Sequence, residues 1–298
     1  MRGLPQADPR GPPGDHPVRP PLRELPAATT VTTATAPPDG PRAALDLGSS
    51  RIRASVPALD VIVDRPSTVG GPVQITTGRR RARAVPARPI EHGMVADAGA
   101  CTRLTRLTLM EADPGLRLRH VLLAVPAAAS GTQLGRAANA VRAAAGCPVR
   151  TMEAPLAAAI GAGIAVGDPR PRLIIDIGAG IVEMAVVMRG RVHSARSIQY
   201  VPDRQAGHHA PRLPEHVRER LAAGVQHLLT DLPAPLRRTA RDGGLLLTGG
   251  GARLPSLPGR LTAEISLTIT IARDPARATI RGLAHACRSP DAWRLTRA

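Results

Sequence analysis

Three short segments combine carboxylates, hydroxyls and glycines in spacings that suit a phosphorylated ligand: Asp46-Leu-Gly-Ser-Ser50, Asp176-Ile-Gly-Ala-Gly180 and Leu247-Thr-Gly-Gly-Gly-Ala252. Glycines in a tight turn let backbone N–H groups converge on an anion, and a neighbouring hydroxyl adds a donor. A strand-end aspartate repels a triphosphate by itself, but it can hold the waters of a Mg2+ that bridges the phosphates. Two such aspartates, Asp46 and Asp176, facing each other across a cleft specify a metal nucleotide rather than a bare anion. The third segment follows a strand and precedes a helix, where glycines admit a flat base and ribose close to the backbone.

Composition removes several other chemistries. All of the 40 Lys+Arg residues are arginine, and a Walker A loop, a protein kinase and a Schiff-base enzyme each need a lysine. Phenylalanine is also absent and asparagine occurs once, a bias typical of GC-rich coding, so the net charge of +17 is not by itself a sign of a polyanionic partner. Aromatic residues make up 1% of the chain; nucleic-acid surfaces interleave basic residues with aromatics, and no nucleic acid is expected. Cys101, Cys147 and Cys287 are far apart and lack zinc spacing, consistent with a reduced, cytoplasmic protein. His208 and His209 have no third ligand near them, and Arg79–Arg83 reads as a solvated loop. The longest apolar run, residues 156–166, is about half of a bilayer span, and the N-terminus shows no signal-peptide core.

The elements that must position these segments form an internal echo. Residues 43–56 and 173–187 each read as strand, Asp, apolar residue, Gly, small residues, second strand. In the first half a third strand over 59–63, a helix over 100–111, a strand over 120–125, a helix over 132–145, a strand over 149–152 and a small-residue helix over 155–163 follow. The second half repeats the order with a strand over 191–196, a helix over 215–229, a strand over 244–248, and a helix, strand and helix over 257–263, 267–271 and 275–285. The fold class is α/β. Residues 1–40 read as a disordered Pro/Arg-rich tail, 41–165 as the first domain, 166–288 as the second and 289–298 as a C-terminal tail. Trp293 has no readable task there.

The three motifs, in this order, resemble the phosphate 1, phosphate 2 and adenosine motifs of the actin, sugar kinase and heat-shock chaperone superfamily. RPIEHGMVAD (88–97), VLLAVPAAAS (121–130), MEAPLAAAIGAG (152–163), DIGAGIVEMAVV (176–187) and LTGGGARLPSL (247–257) are similar to successive signatures of MreB and its Mbl relatives, the bacterial actins that guide cell-wall synthesis. The resemblance spans about residues 42–285. It implies an actin-like, ribonuclease H-like two-domain ATPase fold, with ATP or GTP and Mg2+ in the cleft between the domains. Asp46, Gly48, Ser49 and Ser50 would meet the β-phosphate side, Asp176, Gly178, Ala179 and Gly180 the γ-phosphate side, and Gly249, Gly250 and Gly251 the adenosine. Partners implied are the protein itself or similar proteins in a filament, and the cell-wall synthesis machinery at the inner membrane face.

Departures from the family pattern point to weak or absent hydrolysis. Relatives carry a Glu that positions the attacking water where this chain has Ala154, and two threonines where it has Ile181 and Val182; these groups supply much of what a protein adds to phosphoryl transfer. Glu153 is one residue away, and its side chain points elsewhere on a regular backbone unless the backbone shifts. The peripheral subdomains also read as reduced or missing. Two alternatives remain open from sequence: a small-molecule kinase or phosphatase of the same superfamily, with Glu183 as the one nearby carboxylate, and a nucleotide-free adaptor for cell-wall proteins.

Overall fold

The structure, a computed structural model, describes residues 40–70, 87–115, 117–202 and 212–297. The expected N-terminal tail up to residue 39, the Arg79–Arg83 run, and His208 and His209 lie outside the described residues.

The first half begins with a hairpin, β1 (Arg42–Leu47) and β2 (Arg51–Val56), followed by β3 (Val61–Pro66). Pro57–Leu59 forms a 3-10 turn closed by Asp60 at φ 53, which uses the residues expected to open the third strand and moves it on to Pro66. A small hairpin, β4 (Ile90–Glu91) and β5 (Met94–Val95), then leads into α1 (Ala98–Ala112). Asp97 caps this helix by accepting from the Ala100 N–H, as an N-cap carboxylate does. Next come β6 (His120–Val125), α2 (Gly131–Ala145), β7 (Val149–Glu153) and α3 (Ala154–Gly161). A reciprocal Ser130–Gln133 box starts α2 and the left-handed Gly146 ends it.

In the second half, β8 (Arg172–Ile177), β9 (Ile181–Met188) and β10 (Arg191–Gln199) are followed by α4 (Glu215–Thr230), α5 (Ala234–Asp242), β11 (Leu245–Thr248), α6 (Leu257–Ile265) and β12 (Ile269–Ile271). Helices α7 (Ala278–Arg288) and α8 (Pro290–Arg294) complete the chain. The two sheets have the same topology: β3-β2-β1-β6-β7 in one and β10-β9-β8-β11-β12 in the other. In each, an antiparallel hairpin is continued by parallel strands, so the echo seen in sequence is an architectural repeat. Helix α5 has no counterpart among the expected elements. Its composition is mostly polar, and only Ala240, fully buried, and Leu236 reach the core.

The halves are locked by exchanged helices. α3 follows the first sheet yet packs on β8 and β9, while α7 follows the second sheet and packs on β1 and β6. The two cross at their glycines: a Cβ on Gly161 would lie 1.8 Å from the Ala278 carbonyl oxygen, and one on Gly282 would lie 1.8 Å from that of Ala157. Only glycine permits this backbone contact, which explains the small-residue run around 155–163. Leu156, Ile280 and Leu283 join Ala44 and Leu122 of one sheet to Ile174 and Ala185 of the other in a single core. The described part of the chain after residue 39 is accordingly one compact unit, and α7, placed in the second domain from sequence, serves the first sheet.

Residues 289–297, read from sequence as a tail, are folded. Trp293 is 4% exposed, with the Arg42 guanidinium 4.7 Å and the Arg150 guanidinium 5.5 Å from its ring centroid. His120 meets the same ring edge-on at 5.8 Å. Beyond α8, Arg297 pairs with Thr151 of β7 as an isolated antiparallel bridge. The sequence signal was weak because a lone aromatic has no periodic partners, whereas its packing surface comes from guanidiniums and apolar side chains brought from distant segments.

Candidate functional site

Both hairpins turn in the same way at the same sheet position. The Gly48 N–H donates to the Arg51 carbonyl at 3.1 Å, and the Gly178 N–H donates to that of Ile181 at 2.9 Å. Register then places Asp46 opposite Arg53 across the first hairpin and Asp176 opposite Glu183 across the second. β11 runs parallel to β8 with Thr248 beside Asp176, so the glycines that follow it arrive at the same edge. The result is a cleft of about 440 Å³.

Asp46, Gly48, Ser49 and Ser50 line this cleft, as do Asp176, Gly178 and Ala179, and Gly249, Gly250 and Gly251. Gly180 does not line it: its carbonyl accepts from Tyr200 N–H at 3.0 Å and lies 2.8 Å from His92 Nδ1, tying the second loop to the β4–β5 turn. The Ser49 hydroxyl accepts from the Gly93 N–H at 2.8 Å, which orients it while leaving its proton to donate, and Ser50 is exposed. Within the third motif the glycines differ in role. A Cβ on Gly249, at φ +82, would fall 2.2 Å from Asp176 Oδ1, and one on Gly251 would strike Ile177, whereas Gly250 faces open space. All three border the cleft, but two of them also let the loop pack on the end of β8, and only Gly250 has room for a side chain.

Arg53, Thr279 and Tyr200 in the cleft were not singled out from sequence, and the facing of Glu183 was left open. Arg53, 13% exposed, bridges Asp46 at 3.3 Å and Asp64 at 3.2 Å. Asp64 is held further by Arg51 and by Arg277; burial raises its pKa, but the Arg51 and Arg53 guanidiniums together outweigh burial and lower it. Glu183, whose facing was ambiguous on an alternating strand, points into the cleft and accepts from the Ala127 N–H at 2.8 Å. Thr279 donates to Asp176 at 3.2 Å, and the Tyr200 hydroxyl donates to the Gly178 carbonyl at 2.6 Å. Counting across the Gly48 and Gly178 turns would have found the pairing of Arg53 with Asp46 and settled that of Glu183 with Asp176; nothing local in sequence marks Thr279 or Tyr200.

Three carboxylates share this small space, and burial raises the pKa of each. Asp46 stays above its ordinary value although Arg53 opposes the shift. Asp176 is pushed up to about 7 by burial and then by repulsion from Asp46. Glu183 is pushed up to about 8, again by burial first, with the Ala127 N–H opposing and Asp176 and Asp46 adding repulsion. Such a cluster calls for positive charge. The residues do not, however, fit a metal caged by protein ligands: among the described residues no group of three or more His, Cys, Asp or Glu is arranged to hold one, and Asp46 already carries the Arg53 guanidinium.

Where the resemblance expects a water-positioning Glu, Ala154 lines the cleft and Glu153 does not. Glu153 instead forms an ion pair with Arg297 at 2.8 Å. Ile181 presents an apolar wall to the cavity, while Val182 is fully buried in the second core. A larger cavity, of about 670 Å³, lies at the other end of β8 beside Arg172 and Gly244. It contains none of the glycine motifs, and its Asp168 is neutralised by Arg170 and Arg172.

Two repeated α/β halves, interlocked by crossing helices, with equivalent glycine turns and a third glycine loop around one cleft, define an actin-like fold. Solved structures agree: the crystal structure of MreB5 of Spiroplasma citri bound to ADP aligns with a TM-score of 0.69 at 21% identity, over 82% of this chain and 94% of that one. The MamK double helical filament aligns with a TM-score of 0.67 at 14% identity, over 83% of this chain and 99% of that one. Sequence narrows the class. The profile of the family described as MreB/Mbl protein matches residues 43–208 and 211–294. The cell shape-determining protein MreB of Escherichia coli strain K12 is 24% identical, over 80% of this chain and 90% of its own length. Mbl of Bacillus subtilis strain 168 is 22% identical, over 78% and 91%. The chain belongs to the MreB/Mbl family.

Proposed function

We propose that this chain is a nucleotide-binding bacterial actin that assembles as a cytoskeletal or scaffold element in cell-shape and cell-wall morphogenesis, and that it hydrolyses nucleotide slowly or not at all. The observation carrying the nucleotide reading is the convergence of the Asp46, Asp176 and Gly249–Gly251 loops on one cleft. ATP or GTP lies there with its phosphates between the two hairpin turns and its nucleoside beside Gly250. Support comes from relatives: Spiroplasma citri MreB5 has been crystallised with ADP and with AMPPNP, and MamK forms a double helical filament. The partners are further copies or similar family members in a filament, and the cell-wall synthesis machinery at the inner face of the membrane. No helix among the described residues is long and apolar enough to cross a membrane.

Slow turnover follows from the side chains around the cleft. Ala154 and Ile181 cannot orient a water, Glu153 is held away by Arg297, and Glu183, raised to about 8, is mostly protonated at neutral pH and so a poor base. The same protonation weighs against the small-molecule kinase alternative, which needs an ionised carboxylate near Asp176. Thermal denaturation with and without ATP tests the reading. Ligand at about 100 times its Kd adds about 2.7 kcal/mol of stability and should raise the melting temperature by about 5 °C for a domain of this size. Electron microscopy of the same samples should show filaments. An unmoved melting temperature would favour the nucleotide-free adaptor.

A further inference from the structure

The two hairpins are equivalent in topology but opposite in charge. The residue facing the cleft aspartate is an acid in the second hairpin, Glu183 against Asp176, and a base in the first, Arg53 against Asp46. We propose that Arg53 is a built-in counter-cation for the bound polyphosphate, so that this chain holds nucleotide with little dependence on a divalent metal. The inference rests on the nucleotide reading above and concerns how that site is neutralised.

Geometry fixes Arg53 in this role. Its Nη1 lies 3.3 Å from Asp46 Oδ2 and its Nε 3.2 Å from Asp64 Oδ2. The second terminal nitrogen has no hydrogen-bond partner among the described residues, and the residue lines the cleft beside the Gly48 turn. Asp64 is in turn held by Arg51 and Arg277, so the Arg53 guanidinium is tethered to two carboxylates at the cleft wall. A guanidinium stays charged at all accessible pH values and presents a planar donor fork that suits phosphate oxygens. The chain has no lysine to do this. A carboxylate that would grip the water shell of a metal thus already holds a cation. Arg53 therefore screens Asp46 from the phosphates and offers them a direct donor.

The test is an equilibrium titration of ATP into the full chain, in excess magnesium and in excess EDTA, for the wild type and for Arg53→Met. Wild-type Kd should change by less than about fivefold when the metal is removed, while Arg53→Met should lose more than about fivefold in EDTA relative to wild type. Arg53→Lys, which keeps the charge, should recover part of that loss and guards against a folding defect in the methionine variant. A wild-type Kd that rises by more than about fivefold in EDTA would overturn the inference while leaving the nucleotide reading intact, and that comparison needs no variant. Equal affinity of Arg53→Met and wild type in EDTA would also overturn it. Failure of the wild type to bind ATP even with magnesium would instead overturn the nucleotide reading, and the inference with it.

Discussion

Glu183→Gln isolates the electrostatics of the cleft. In the folded protein the Glu183 carboxyl is raised from its ordinary 4.5 to about 8, so between these values the native state holds a proton that the unfolded chain has released. Stability attributable to this proton is fully present below pH 4.5 and disappears as pH climbs through 8. The slope for one proton is about 1.4 kcal/mol per pH unit, which integrates over the window to on the order of 5 kcal/mol. Asp176, raised to about 7, adds a loss of the same sign. Wild-type protein should therefore weaken steadily from pH 5 to about pH 8 and level off beyond it. Glutamine resembles the neutral acid, and its side-chain oxygen can still accept the Ala127 N–H, so the variant should match wild type near pH 4.5, exceed it increasingly up to about pH 8 and keep a constant margin above that. Urea denaturation at each pH measures both curves. Parallel curves for the two proteins would refute the reasoning, because they would mean that Glu183 ionises in the native cleft as readily as in water.

Four further outcomes are expected. Gly161→Ala drives a methyl to within 1.8 Å of the Ala278 carbonyl oxygen and should cost about 3 kcal/mol in chemical denaturation, whereas Gly259→Ala, a helical site with nothing within 4 Å, should be neutral or stabilise by up to about 1 kcal/mol. Trp293→Ala removes a buried ring and two guanidinium contacts and should cost about 3–5 kcal/mol, read from the shift in urea midpoint. Glu153→Ala should leave phosphate release from ATP unchanged, since the carboxylate is turned to Arg297. A drop in release would show that Glu153 reaches the phosphate after all.

The paired Asp-x-Gly turns were legible in sequence because an interrupted apolar strand is a local pattern, and its repetition exposed the duplicated topology. Which face each strand turns inward was not legible. Alternation leaves the phase of β9 undetermined until the sheet is packed, and every one of its eight residues proves buried, so Glu183 lacked the polar neighbours that mark a solvent face. Arg53 was hidden for a different reason: in a chain rich in arginine one more carries no signal, and its meaning lies in the register that sets it against Asp46. Gly180 shows the limit of motif transfer, since its carbonyl is drawn to His92 and Tyr200 by contacts far apart in sequence. The exchange of α3 and α7 was foreshadowed only by small residues, which signal close packing without naming the partner.

Gly250→Leu offers the most direct test of the cleft itself. A side chain there meets nothing within 4 Å and φ is not in the left-handed region, so the fold should survive, yet the added group projects beside the expected nucleoside position. Calorimetric titration of ATP into wild type and Gly250→Leu should show saturable binding to the first and a loss of about tenfold or more in the second, with both melting at similar temperatures in the absence of ligand. Equal affinity for the two proteins, or no heat of binding to either, would contradict the assignment of this cleft as the nucleotide site.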